Sequence, residues 1–126
     1  MISLKNTLEA IKTKLNAHDK ALSVDYIVEQ GTSGIWTYRK WNSGIAECWG
    51  TQEKTATATY QAFVMSYPSG LFSESPLIVT SGGARGQATA YGGYANAYTK
   101  EKADLYVYTA GSSPAWIYMY VIGKWK

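Results

Sequence analysis

Gly34-Ile35-Trp36-Thr37-Tyr38-Arg39-Lys40-Trp41-Asn42-Ser43-Gly44-Ile45-Ala46-Glu47-Cys48-Trp49-Gly50 packs three of the chain's five tryptophans into two strand-like runs. Asn42-Ser43-Gly44 supplies the tight turn between them, and the aromatic and β-branched residues on either side favour extended backbone. Side chains alternate along a strand, so Trp36, Tyr38 and Lys40 share one face while Thr37, Arg39 and Trp41 share the other. Both faces carry aromatic surface, and neither reads as plainly solvent-facing.

Outward from this hairpin the strand signals continue. Asp25-Tyr26-Ile27-Val28-Glu29 is a strand candidate, and Gly31-Thr32-Ser33-Gly34 reads as a loop. Thr55 to Tyr67 alternates Thr with Ala, then thickens into Ala62-Phe63-Val64-Met65 as an extended segment entering a core does. A turn at Pro68-Ser69-Gly70 precedes the apolar strand Pro76-Leu77-Ile78-Val79-Thr80. Gly82-Gly83-Ala84-Arg85-Gly86 reads as a flexible loop, and Ala88 to Tyr98, rich in small residues and Tyr, suggests close approach between strands or subunits.

Leu105-Tyr106-Val107-Tyr108 and Trp116 to Ile122, on either side of Gly111-Ser112-Ser113-Pro114, finish the sheet. Leu105, Val107, Ile117, Met119 and Val121 form an aliphatic face, and Tyr106, Tyr108, Trp116, Tyr118 and Tyr120 an aromatic one. The aliphatic face is expected to fill a sandwich core. The aromatic face, whose hydroxyls need partners, suits a subunit interface, with a binding wall as the alternative.

The N-terminal residues obey a different period. Met1, Leu4, Leu8, Ile11, Leu15, His18 and Leu22 recur at alternating spacings of three and four, the a/d pattern of a coiled coil. The flanking positions hold Lys5, Thr7, Lys12, Lys14, Asp19 and Ala21, so the apolar stripe is narrow and is expected to meet its own copies. Leu8 and Leu15 at a with Ile11 at d favour three strands or more. The expected trimer seam is therefore Leu4, Leu8, Ile11, Leu15, His18 and Leu22, the alternative being a single helix lying on the β body. His18 reads as a polar layer that sets register rather than as a ligand. A seam that begins at residue 1 hints at a piece cut from a longer protein.

Composition agrees with this division. Charged residues are 17% and aromatics 14%, with eleven Tyr and twelve Gly, a balance that suits β-rich surfaces better than helical bundles. The net charge of +3 is spread out, which excludes a continuous track for nucleic acid. No apolar run resembles a signal peptide or a membrane span, so the chain is expected to be soluble, made in the cytoplasm and not membrane-inserted. The single cysteine, Cys48, is expected to pack as a small apolar group.

Three features carry a resemblance: the aromatic hairpin from Trp36 to Thr51; the run Tyr67-Pro68-Ser69-Gly70-Leu71-Phe72 to Pro76-Leu77-Ile78-Val79-Thr80; and the closing Trp116-Ile117-Tyr118-Met119-Tyr120-Val121-Ile122-Gly123. Over residues 31 to 126 the chain resembles the C-terminal receptor-binding domains of bacteriophage tail-fibre, baseplate and related minor structural proteins. The last two features also look like the H-type-lectin fibre tip. Together with the heptad arm read above, the resemblance leads to the expectation of a mainly β fold, an antiparallel β-sandwich preceded by a short N-terminal coiled-coil helix. The division would be 1–23 for the trimerisation helix and 24–126 for the sandwich. It further implies a homotrimer in the virion whose tip binds bacterial surface glycans, often between subunits.

The hairpin looks like scaffold, so the sugar site is chosen by chemistry: a flat aromatic for the ring face and short polar groups for hydroxyls. Arg85, Gln87, Thr89, Tyr91, Tyr94, Asn96 and Tyr98 offer that mix most densely. No catalytic residue, cofactor or metal site is expected. The only His lies in the arm, far from Cys48, and no spacing pairs Glu47 with Asp104 as a glycosidase requires. The alternatives are a purely structural trimerisation or head-fibre module and a depolymerising tip enzyme.

Overall fold

A computed structural model of the chain describes residues 3–22, 24–85, 94–109 and 114–126, with the side chains of 18–22, 94 and 96 left aside. The arm is helical: α1 spans Leu4–Leu22. Ser3 starts it, its hydroxyl accepting the Asn6 amide at 3.2 Å and so satisfying one of the donors a helix N-terminus leaves open. Leu4, Leu8, Ile11 and Leu15 are between 50% and 75% exposed, so among the described side chains α1 does not bury its seam on the β body. His18 and Leu22 lie on the helix, but their side chains fall outside the described ones. Among the described residues no helix is long and apolar enough to cross a membrane.

The rest is antiparallel β-structure. β1 (Ile27–Ser33), β2 (Trp36–Trp41), β3 (Ile45–Lys54), β4 (Tyr60–Ser66), β5 (Leu77–Ala84), β6 (Tyr94–Tyr98), β7 (Lys102–Tyr108) and β8 (Ala115–Lys124) follow in order. They form a five-stranded sheet, β1-β2-β3-β8-β5, and a three-stranded sheet, β4-β7-β6. The β2–β3 hairpin turns at Gly44, whose φ of 98° is a conformation that favours glycine. Asp25 braces this turn, its carboxylate accepting the Ser43 amide at 2.9 Å and the Ser43 hydroxyl at 2.7 Å.

The period-two pattern places the core. Leu105, Val107, Ile117 and Val121 are fully buried and Met119 nearly so, while Tyr118 and Tyr120 on the opposite face of β8 remain exposed. Trp36, Cys48, Ile117, Met119 and Val121 from the larger sheet join Phe63, Met65, Leu105 and Val107 from the smaller one in a single apolar cluster. Burying one such aliphatic or aromatic side chain contributes about 1.5–3 kcal/mol. Cys48 is part of that core, and burial pushes its thiol up to about 12.

Two glycine-rich segments read as loops are strands. β5 runs through Gly82-Gly83-Ala84, because Gly83 faces Trp116 across the pair and its missing side chain makes room for the indole. A Cβ there would stand 2.6 Å from Trp116 Cζ2. β1 likewise continues through Gly31, which pairs with Tyr38, and the chain turns only at Gly34. By contrast, residues 55 to 59, read as extended, precede β4 rather than belonging to it.

Candidate functional site: an apolar sheet face and a polar cleft

Strand register decides what the outer face of the five-stranded sheet presents. Across β3, β8 and β5 the rows are Glu47, Ile122 and Leu77; then Trp49, Tyr120 and Val79; then Thr51, Tyr118 and Ser81. These alternate with the buried positions, so all point away from the core. Between them lies an open groove of about 310 Å³. Trp49 and Tyr120 stack at 6.4 Å with 23° between their planes, and Trp116 tilts against Tyr118 at 5.0 Å. Leu77 is 73% exposed and Val79 65%.

One margin of this face is polar and tightly tied. Glu47 accepts the Tyr120 hydroxyl and, at 3.3 Å, the Trp41 indole N–H, and lies 3.7 Å from the Arg39 guanidinium. Arg39 in turn sits 5.1 Å from the centre of the Trp49 ring. Donation to Glu47, more than burial, pushes the Tyr120 hydroxyl up to about 12, so it stays protonated at neutral pH.

The inner face behaves differently at its β1 edge, where the Pro68–Leu71 turn replaces the second sheet. A cleft of about 340 Å³ opens there, lined by Glu29, Ser33, Tyr38, Lys40 and Ser69 among others. Lys40 reaches Glu29 at 3.0 Å and lies 5.5 Å from the centre of the Trp125 ring.

No family model and no curated protein matches the chain. A solved structure does. In fold, the chain is similar to an R1-type pyocin tail fibre. That N-truncated fibre superimposes with a TM-score of 0.61, covering 86% of this chain and 94% of its own at 11% identity. The likeness is one of fold, which in this chain is mainly antiparallel β preceded, among the described residues, by one short N-terminal helix. At that identity the pyocin fibre transfers no residue role.

The expected sugar-binding residues are only partly within view. Arg85 is exposed just past β5, its amide donating to the Pro114 carbonyl at 3.2 Å. Tyr98 ends β6 and is 51% exposed. Tyr94 and Asn96 lie on β6, Asn96 within a register shift between Ala95 and Ala97. Their side chains, and all of Gln87, Thr89 and Tyr91, fall outside the described residues. The polar cleft has no counterpart in the sequence reading, which took Gly31 to Gly34 for a loop.

The carboxylates weighed for catalysis are held apart in role. Glu47 belongs to the five-stranded sheet with the partners above, whereas Asp104 lies on β7 of the other sheet, 3.6 Å from Lys102. Among the described residues no three His, Cys, Asp or Glu side chains gather as a metal site would require.

Proposed function

We propose that this chain is a non-enzymatic fibre module of a phage or phage-like virion, which trimerises and binds bacterial cell-surface carbohydrate for adsorption. The observation that carries the reading is the pair of uncovered apolar surfaces on one fibre-like fold. The α1 seam leaves Leu4, Leu8, Ile11 and Leu15 in solvent, and the outer sheet face leaves Leu77, Val79 and Tyr118 there too. Monomers rarely expose contiguous apolar surface of this kind, and a second and third copy are the natural cover. The two sheets would then face one another as an H-type-lectin-like sandwich, its aromatic outer face turned to neighbouring subunits.

The resemblance to fibre tips and the polar, Tyr-bearing surfaces near β1 and β6 support the carbohydrate reading. Three weak sites held rigidly together would gain strength by multivalency. Catalysis is left out because Glu47 is occupied as a structural acceptor. The apolar groove also suits a second reading, a purely structural trimerisation or head-fibre module without a receptor.

Light scattering tests the assembly: three times the 13.9 kDa chain is expected for the wild type, falling to one copy for Leu8→Asp and Val79→Asp. A wild-type monomer at all concentrations overturns trimerisation. Adsorption to bacterial cells or wall polysaccharide then separates the readings, since trimers that adsorb to none support the structural module.

A further inference from the structure

We propose that the cleft between the β1–β2 edge and the Pro68–Leu71 turn is a saccharide-binding site, taking a pyranose that offers a vicinal diol to Glu29 and Lys40. The inference rests on the carbohydrate reading above, and places the sugar away from residues 85–98.

The cleft is built by a defect in strand pairing. Ile27 pairs with Trp41 but Glu29 pairs with Lys40, so Val28 is an extra residue in β1. Without that bulge Glu29 would alternate onto the outer face; with it, the carboxylate stands beside Lys40 on the inner one. Lys40 is steadied by Glu29 at 3.0 Å and by the Trp125 ring. Gly31 lies directly across from Tyr38, where a Cβ would stand 3.4 Å from the phenol oxygen. The ring is therefore laid against bare backbone and held as a flat wall.

Stability does not account for this arrangement. The Glu29 side chain is 50% exposed, and ion pairs so open to solvent contribute little. Sugar chemistry does account for it. A carboxylate accepts two adjacent hydroxyls, an ammonium donates to hydroxyl or ring oxygens, Ser33 and Ser69 add short polar groups, and an aromatic ring takes the C–H face. The groove on the outer face is of similar size and sets aromatic rings beside Thr51, Thr80 and Ser81. Among the described residues, however, no charged side chain lines it and its surface is mainly apolar, which fits protein contact instead.

The test uses the full chain on a glycan array of bacterial surface oligosaccharides, with Glu29→Gln and Lys40→Gln as variants and thermal melting as the folding control. Wild-type binding that weakens at least about tenfold in each variant, with melting unchanged, is the expected result. Equal binding by wild type and variants overturns the site while leaving the carbohydrate reading standing. No binding by the trimeric wild type to any glycan overturns both. As a readout independent of the variants, titrating the bound oligosaccharide should shift backbone amides within 29–33, 38–40 and 69–71; shifts confined elsewhere overturn the site.

Discussion

Trp36 on β2 donates its indole N–H to the carbonyl of Ser66 at the end of β4, across 2.6 Å. The bond joins the two sheets at a partly buried point, where the same indole meets Tyr67 edge-on with ring centres 5.9 Å apart. Trp36→Phe keeps an aromatic ring but removes the donor from that partly buried carbonyl. A loss of about 1–3 kcal/mol is expected, read as a lower denaturant midpoint with unchanged slope.

Gly50 and Gly83 should respond unequally to alanine. A Cβ on Gly50 would stand 2.7 Å from the Ile35 carbonyl oxygen, which is backbone and cannot swing aside; on Gly83 it would meet only the half-buried Trp116 indole. Gly50→Ala is therefore expected to destabilise by about 1–3 kcal/mol, and Gly83→Ala by less. Combining Gly83→Ala with Trp116→Leu should recover part of the smaller loss, as a double-mutant cycle in denaturant would show.

Cys48 should be inert until the fold opens. Its side chain is fully buried and burial raises its thiol to about 12, so the reactive thiolate is scarce and inaccessible at neutral pH. Reaction with a thiol reagent at about pH 8 is expected to be negligible for the native chain and complete in denaturant. Rapid native labelling would contradict the core position.

Asp25 gives the turn an acid sensitivity. Hydrogen bonds from Ser43 hold its carboxyl below the ordinary value of 3.8. Because the folded pKa is the lower one, the stabilisation is fully present above the unfolded value and is lost as pH falls through the folded value. Asp25→Asn should therefore lower the melting temperature near neutral pH, with the gap from wild type closing as the solution is acidified below about pH 4.

Much of the fold was legible because its period survives in the sequence. Ile117, Met119 and Val121 alternate with Tyr118 and Tyr120, and each set lies on the face that alternation assigns it. The heptad helix was legible for the same reason. Glycine misled, since sequence does not distinguish a glycine that turns the chain, as Gly44 does, from one that admits an aromatic ring, as Gly31 and Gly83 do. The polar cleft was illegible because two non-local events make it: a bulge at Val28, and a turn at Pro68 brought from nearly forty residues downstream. Of the expected sugar residues, Arg85 and Tyr98 are exposed, as a binding role requires, but exposure alone does not single them out.

The place of β8 between β3 and β5 bears on how the molecule is made. β5 has no other neighbour in its sheet, and β3 keeps one open edge, until residues 115–124 have been synthesised. A nascent chain therefore carries α1 and the β1–β3 meander out of the ribosome long before the larger sheet can close. High contact order of this kind makes sheet closure slow and late, while a helix forms in microseconds. The arm is thus complete first, and under the trimeric assembly proposed above, registration of the chains would precede the folding of the bodies they carry.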